Sequence, residues 1–342
     1  MTDDDDEYKK TVTLIIDYII NFFSCNKKIF DLDKILYTTT QCFENNIGKR
    51  NKIFLFDNNI IYKEKKNNSF ENFAEVFCYQ FLKKLNINVA EYYFFKYKNN
   101  DGVVTKNFIG SNEIFIDGTN LIDAYLTYVE EGKIKHGLYV SHSIETIIEY
   151  NNIDDLEIII EKLSSIYNID LSSVVKNLKQ TYVIDLLLLQ SDRNPYNWGI
   201  LIDKSTGKIR FAPLYDNSNI FNFNRPIILN QMIKNIDNDE HIYSLSIKNN
   251  PTLLRVHKYE ELFTSKPALV ATIDDHEIIK FMEEMINKID FYGLENMVDE
   301  IINDFPLKLQ NAEFKKLVIK LLATNISYIK ENLLYNKIKM LK

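Results

Sequence analysis

The sequence predicts an α+β protein with two lobes, in which a small antiparallel sheet with one helix precedes a larger, mostly helical body. Three observations lead to this prediction. The first third of the chain reads strand, strand, helix, strand, strand, and helical spacing of apolar residues dominates beyond Asp117. No repeat or long linker rich in Pro, Gly or Ser separates the two parts. We therefore expect two layered lobes with a cleft between them.

The chain begins with an acidic stretch followed by an amphipathic segment. Residues 1–8 form the acidic tail, and apolar residues recur at helical spacing from Thr11 to Ser24. The predicted divisions are an acidic tail and N-terminal helix at 1–34, an N-terminal lobe at 35–117 and a helical C-terminal lobe at 118–342.

The N-terminal lobe is predicted from turn residues and β-prone runs. Two short apolar runs surround an Asp/Asn turn at 57–59, which predicts a hairpin. Ser69 can cap the following helix, where Phe residues recur at three- and four-residue steps until about Asn86. Two further strands, Val89–Tyr97 and Val103–Ile109, are joined by an Asn-Asn-Asp-Gly turn.

The C-terminal lobe is predicted to be helical with one inserted hairpin. The hairpin strands are expected at 200–202 and 208–211. The predicted helices span 120–131, 144–150, 154–167, 171–190, 274–289, 293–303 and 311–337.

Composition excludes several classes of protein. The chain has 41 Lys and Arg against 48 Asp and Glu, a formal charge of −7, which opposes direct nucleic-acid binding through a cationic surface. The apolar stretch 12–23 is interrupted by polar residues and is too short to span a membrane. An acidic N-terminus is unlike a secretory signal, and Cys25, Cys42 and Cys78 lack metal-ligand or disulfide spacing. We expect a cytoplasmic protein without a membrane anchor.

Three polar residues surround the predicted hairpin of the C-terminal lobe. Asp192 precedes the hairpin, Asn197 stands at its entrance and Asp216 follows its exit. Because hairpin ends lie close together, Asn197 and Asp216 should be neighbours. A few oxygen ligands that leave room for water and phosphate suit magnesium bound to a nucleotide.

The spacing of these residues is that of a phosphoryl-transfer site. An Asp five residues before an Asn is the pattern of a kinase catalytic loop, where the Asp accepts the proton of the substrate hydroxyl and the Asn binds a metal. A second Asp after a hairpin is expected to be the main metal ligand. A polar turn after a buried helix is the structural alternative.

A phosphoryl-transfer site also needs a lysine for the phosphates and a helix glutamate that holds it. Lys63 ends an apolar strand and Glu75 lies near the start of the next helix, so we expect these two to pair. Lys65 and Lys66 are competitors, since strand alternation places Lys63 and Lys65 on one face.

Several motifs resemble those of HipA-like serine/threonine kinases, including the smaller CtkA-like branch, from about residue 53 to 221. Members have a helix that begins at a Glu and ends in Gly-Ile, and here Glu75 leads to Asn86-Ile87. The metal motif of the family, Ala-Pro-x-Tyr/Phe-Asp, is matched at 212–216. The family loop Asp-x-His-x-x-Asn is matched by Asp192 to Asn197, with Asn194 in place of His.

The resemblance implies a bilobal protein-kinase-like fold and an ATP- and Mg²⁺-dependent transfer to Ser or Thr of a protein, including autophosphorylation. An antitoxin-like partner and a role as toxin or secreted effector are further implications. The resemblance places adenine against the backbone at Lys106, Asn107 and Phe108. Gly48 and Lys49 could cradle phosphate through backbone N–H groups and the lysine charge.

Two alternatives to a protein kinase stay open at the level of the sequence. A small-molecule or lipid kinase uses a similar Asp/Asn loop and differs only in the acceptor. A pseudokinase would bind nucleotide or a partner without turnover, although such a scaffold has no physical need for all five of these residues: Lys63, Glu75, Asp192, Asn197 and Asp216.

Overall fold

The computed structural model describes residues 52–55, 60–64, 70–97, 100–131, 142–242, 244–245, 254–256, 270–304 and 311–340. The predictions made for the acidic tail, the 11–24 helix, the 57–59 turn, Ser69, Lys65 and Lys66 lie outside these residues.

The first sheet has four antiparallel strands in the order β1-β2-β4-β3. The predicted turn at 99–102 is wrong at its C-terminal end, because β4 already begins at Asn100 and Gly102 pairs with Glu64. A Cβ atom at Gly102 would overlap the Tyr62 ring, so this glycine permits close packing between strands. The strands are β1 Lys52–Leu55, β2 Ile60–Glu64, β3 Tyr92–Tyr97 and β4 Asn100–Lys106.

Helix α1, Glu71–Lys84, joins the two lobes as well as covering the sheet. Its Phe73 and Phe77 rings stack with centroids 5.9 Å apart, as the Phe spacing predicts. Phe73 also contacts Phe314 of the last helix at 4.8 Å, ring centroid to centroid. The aromatic face of α1 therefore anchors this helix to the C-terminal lobe. Asn86, which follows α1, has a φ of 59°, a conformation that explains why Asn can replace Gly there.

The second sheet has three antiparallel strands in the order β5-β6-β7. Strands β6, Gly199–Asp203, and β7, Ile209–Phe211, form the predicted hairpin. Strand β5, Glu113–Asp117, was not predicted and pairs with β6. Strand β5 lies in the segment 35–117, which the sequence assigns to the N-terminal lobe. This segment therefore contributes one strand to the sheet that carries the hairpin.

The rest of the described chain is mainly helical, as predicted. Helices α6 and α7 were not predicted, and the expected 171–190 helix ends earlier, at Leu187, because Leu189 adopts a φ of 52°. Among the described residues, no helix combines the length and the hydrophobicity that a membrane span requires. The helices are α2 Gly118–Glu131, α3 Ile144–Glu149, α4 Ile153–Tyr167, α5 Ser172–Leu187, α6 Pro226–Lys234, α7 Asp239–Ile242, α8 His276–Lys288, α9 Phe291–Asp304 and α10 Asn311–Met340.

Candidate active site

Lys63 of β2 lies at the centre of a buried group of charges. Its Nζ donates to Glu75 Oε1 at 2.9 Å, to Tyr92 OH at 3.0 Å and to Asp216 Oδ1 at 3.2 Å. The ammonium also lies 4.9 Å from the centroid of the Tyr92 ring. We call Lys63, Glu75, Tyr92 and Asp216 the lysine cluster. The Lys63 side chain is 5% exposed, so these partners replace the water that a buried ammonium loses.

Glu75 connects the lysine cluster to the loop that follows β7. This glutamate lies on α1 and is fully buried. Its Oε1 accepts from Lys63, and its Oε2 accepts from the backbone N–H of Asn217 at 2.9 Å. Because both carboxylate oxygens are used, the position of α1 determines the positions of Lys63 and of the loop at 216–217.

Asp216 has an unusual backbone conformation and a partly exposed carboxylate. Its φ of 55° lies in the left-handed region, where a residue other than Gly is strained by about 1–3 kcal/mol. Hydrogen bonds hold this conformation: the carbonyl accepts from Gln190 Nε2 at 3.3 Å, and the N–H donates to Tyr92 OH at 3.4 Å. The side chain is 29% exposed, so its carboxylate remains accessible from the solvent.

The Asp192 carboxylate is held by two side-chain amides. Oδ1 accepts from Asn194 Nδ2 at 3.0 Å and Oδ2 accepts from Asn219 Nδ2 at 2.8 Å. We call Asp192, Asn194 and Asn219 the aspartate cluster. Burial raises the pKa of Asp192, and the negative charge of the nearby Asp216 raises it further. The two amide hydrogen bonds and the Arg193 charge oppose this shift without cancelling it.

Arg193 is fully buried and joins the segments around the hairpin. It forms an ion pair with Asp185 at the end of α5, with Nη2 3.1 Å from Oδ1. Its Nη1 donates to the carbonyl groups of Asn197 at 2.8 Å and Tyr215 at 2.9 Å, and its Nη2 donates to Asn217 Oδ1 at 2.6 Å. A single guanidinium thus holds both ends of the β6–β7 hairpin, which the sequence predicts to be neighbours.

In the motif that resembles the HipA-like loop, Asn194 stands in place of His. Its Oδ1 accepts from the Tyr196 N–H at 2.9 Å and caps the 3₁₀ turn Pro195–Asn197, while its Nδ2 donates to Asp192. The amide therefore performs a capping and an orienting function at once. Asn197 Nδ2 donates to the Asp192 carbonyl at 2.6 Å, which leaves its side-chain carbonyl oxygen as the atom suited to a cation.

Of the residues predicted to lie against adenine, Lys106 is the last residue of β4, and Asn107 and Phe108 follow it. Lys106 is exposed, and Asn107 Oδ1 accepts from the Ile109 N–H at 3.1 Å. The Phe108 ring lies 5.4 Å from the Tyr215 ring, centroid to centroid, so this segment contacts the residue that precedes Asp216. Gly48 and Lys49 lie outside the described residues, and their role stays a prediction.

Four side chains at the site were missed by reasoning from the sequence. Tyr92 contacts Lys63, Asn217 bonds to Arg193, Asn219 bonds to Asp192, and Gln190 links the two loops. Strand alternation could have indicated Tyr92. Lys63 pairs with Val103 of β4 and Tyr92 pairs with Thr105 of the same strand. Val103 and Thr105 are two residues apart, so they and their partners lie on one face of the sheet. The polar residues in the loops have no periodic signal that could have indicated them.

The oxygen donors at the site fit magnesium bound to a nucleotide. Among the described residues, no group of three or more His, Cys, Asp or Glu side chains is placed to hold a metal ion. Asp216 and Asn197 offer one carboxylate and one amide oxygen, and Mg²⁺ is commonly held by one or two protein oxygens with water and phosphate completing its shell. Lys63 supplies the positive charge that a triphosphate also needs.

Comparison with known proteins supports the fold. No protein-family model and no curated protein matches the chain. The crystal structure of a proinflammatory kinase, CtkA, from Helicobacter pylori matches with a TM-score of 0.66 and 17% identity, over 89% of this chain and 96% of that one. HipA from Shewanella oneidensis, solved with HipB and operator DNA, matches with a TM-score of 0.49 and 12% identity, over 90% of this chain and 71% of that one.

The chain therefore has the bilobal, kinase-like α+β fold that the sequence predicts. The likeness to the H. pylori protein extends over nearly the whole of both chains. The resemblance to the CtkA-like branch stated from the sequence motifs is confirmed at the level of the fold.

Proposed function

We propose that this protein is an ATP-dependent protein kinase that transfers the γ-phosphoryl group to a Ser or Thr hydroxyl. The observation that carries the proposal is the lysine cluster, in which Lys63 Nζ lies within 3.2 Å of both Glu75 and Asp216. These three side chains come from a strand, a helix and a loop, and a structural ion pair would not need the second, partly exposed carboxylate.

Lys63, Asp216 and Asn197 form the nucleotide end of the proposed site. Lys63 neutralises phosphate charge, and Glu75 fixes the ammonium in position. Magnesium, held by Asp216 and Asn197, would neutralise charge on the phosphate oxygens when bound. The segment Lys106 to Phe108 supports adenine, and Gly48 with Lys49 is proposed to cradle the phosphates.

Asp192 forms the acceptor end of the proposed site. The acceptor hydroxyl oxygen forms a bond to the γ-phosphorus, the bond from that phosphorus to the bridging oxygen of ADP breaks, and the hydroxyl proton passes to Asp192. The raised pKa of Asp192 favours this role, because a more basic carboxylate is a better proton acceptor.

The acceptor class follows from the sequence resemblance to serine/threonine kinases, and so does autophosphorylation. The matching structure from H. pylori is that of a kinase, which agrees with phosphoryl transfer. An antitoxin-like protein partner stays a prediction of the resemblance.

Intact-mass measurement after incubation with Mg-ATP tests the proposal. We expect the wild-type chain, or an added protein, to gain one or more phosphoryl groups on Ser or Thr, located by fragmentation of the peptides. Lys63→Met and Asp192→Asn should strongly slow the gain, whereas Asp304→Asn, at an exposed position of α9, should not.

Two other outcomes would contradict the proposal in different ways. Transfer only to sugars, amino alcohols or lipids in a panel of hydroxyl acceptors would indicate a small-molecule or lipid kinase. Thermal stabilisation by Mg-ATP without phosphoryl transfer to any acceptor would indicate a pseudokinase.

A further inference from the structure

Hydrogen bonds join two loop segments of the site along their length. Gln190 Nε2 donates to the Asp216 carbonyl at 3.3 Å, and Ser191 Oγ donates to the Asn219 carbonyl at 3.4 Å. The N–H of Phe221 donates to the Leu188 carbonyl at 3.1 Å. Residues 188–192 and 216–221 are therefore attached to each other at successive positions.

One bond between these segments differs in kind from the others. Asn219 Nδ2 donates to Asp192 Oδ2 at 2.8 Å, so its acceptor is the carboxylate rather than the backbone. Several buried amides elsewhere in the molecule donate to the backbone, as Asn325 does to the carbonyl groups of Leu186 and Leu187 at 2.8 Å. The Asn219 amide instead contacts the group that accepts the proton in the proposed function.

We propose that Asn219 is a positioning residue that orients the Asp192 carboxylate for phosphoryl transfer. Asn194 belongs to the same loop as Asp192, whereas Asn219 lies three residues after Asp216. Through the Asn219 bond, the orientation of the Asp192 carboxylate depends on the loop that carries Asp216, the candidate metal ligand. The inference rests on the proposed function and adds to it a residue outside the Asp-x-x-x-x-Asn motif.

A neutral donor suits this task better than a cation. A Lys or Arg bonded to the carboxylate in place of Asn219 would hold its rotamer but would lower the pKa of Asp192 and make it a poorer proton acceptor. An amide fixes one oxygen with a hydrogen bond to a charged group and adds no full charge. Asn219 is half-buried, so its truncation leaves no closed cavity in the core.

The kinetic test compares three variants of the full chain. Asn219→Ala removes the donor and Asn219→Asp replaces it with a negative oxygen, so kcat should fall about 10- to 100-fold for Ala and further for Asp. The KM for ATP should change less than about threefold, because the lysine cluster is untouched. Ser191→Ala removes the neighbouring bond to the backbone and is the matched control, with kcat within about threefold of wild type.

Several results would overturn the inference. These are an unchanged kcat in Asn219→Asp, a KM for ATP that rises in parallel with the loss of kcat, or an equal loss of kcat in Ser191→Ala. Asn219→Gln keeps the amide on a longer side chain; if it and the two other Asn219 variants all fail to fold by thermal melting, the residue is structural and the inference is wrong.

The failure of the inference is distinguishable from that of the proposed function. If the wild-type chain transfers phosphoryl groups and Asn219→Asp does so equally well, the inference alone fails. If the wild-type chain transfers none to any acceptor, the proposed function fails and the inference fails with it.

Discussion

Lys63 and Asp192 both lie beside Asp216, and the groups that hold them are of different chemical kinds. Lys63 is surrounded by two carboxylates and a phenol, within 3.2 Å. Asp192 is held by two neutral amides at 3.0 and 2.8 Å. The two carboxylates balance the charge of the buried lysine, whereas neutral amides orient the aspartate, and the pKa of Asp192 stays raised.

The difference between the partners of Lys63 and those of Asp192 agrees with a separate task for each residue. A group that neutralises phosphate must stay charged throughout, and carboxylate partners ensure this. A group that accepts a proton must be oriented and yet remain basic, which neutral donors allow.

Substitution at Asp192 and at Asp216 should separate chemistry from nucleotide binding. Asp192→Asn keeps the size of the side chain and removes the base, so transfer should slow roughly 10²- to 10⁴-fold while Mg-ATP still binds. Asp216→Asn should weaken Mg-ATP binding itself. Single-turnover transfer and calorimetric titration with Mg-ATP measure the two effects, and equal, small losses in both variants would remove the contrast.

Substitution at Asp185 should show how far the site depends on a buried charge pair. Arg193 and Asp185 are 0% and 1% exposed, and removal of one partner of such a pair costs about 3–5 kcal/mol of stability. We expect Asp185→Asn to lower the free energy of unfolding in urea by an amount in this range. Asp237→Asn, in an exposed pair with Lys316, should leave the unfolding midpoint nearly unchanged.

Asp117 offers a second carboxylate that is held by neutral donors. Burial raises its pKa to about 6, although Asn120 donates to Oδ1 through its backbone N–H at 2.9 Å and its side chain at 2.8 Å. The folded state therefore keeps a proton that the unfolded state releases near pH 4. Stability should fall as pH rises from about 4 to 6, by up to about 3 kcal/mol.

The pH effect at Asp117 is measured as a difference between variants. Asp117→Asn retains an oxygen acceptor and lacks the ionisation, so its stability relative to wild type should rise between pH 4 and 6 and then level off. Asp304→Asn, at an exposed position, controls for the change in net charge. A constant difference between Asp117→Asn and wild type across this range would contradict the assignment.

Glu75→Gln should give the smallest effect, because Lys63 keeps a second carboxylate. The amide can still accept from Asn217 or face Lys63, but it no longer balances the ammonium charge. We expect kcat/KM for ATP to fall about 10- to 100-fold. Glu300→Gln, exposed on α9, is the control for the same chemical change. A loss larger than that of Asp192→Asn would show that the lysine cluster dominates the chemistry.

The proposed site residues could be selected from the sequence because each lies at a recognisable position relative to a predicted strand, helix or hairpin. Lys63 ends a strand, Glu75 lies on a helix with a row of Phe residues, and Asp192 and Asp216 flank a hairpin. The other strands and most helices were predicted for the same reason, since periods of 2 and 3.6 residues show which face is apolar. Strand β5 was missed because its partner, β6, lies far along the chain, so no hairpin turn beside β5 marks it as a strand.

Spacing along the chain predicted a lysine on a strand, a glutamate on a helix, and two aspartates and an asparagine around a hairpin. The tertiary structure alone decided that Phe73 meets Phe314, that Arg193 is buried against Asp185, and that Asn219 bonds to Asp192. The reason is physical. Periodic burial is encoded locally in every turn of a helix, whereas one hydrogen bond between two irregular loops depends on the packing of the whole molecule and has no repeat to reveal it.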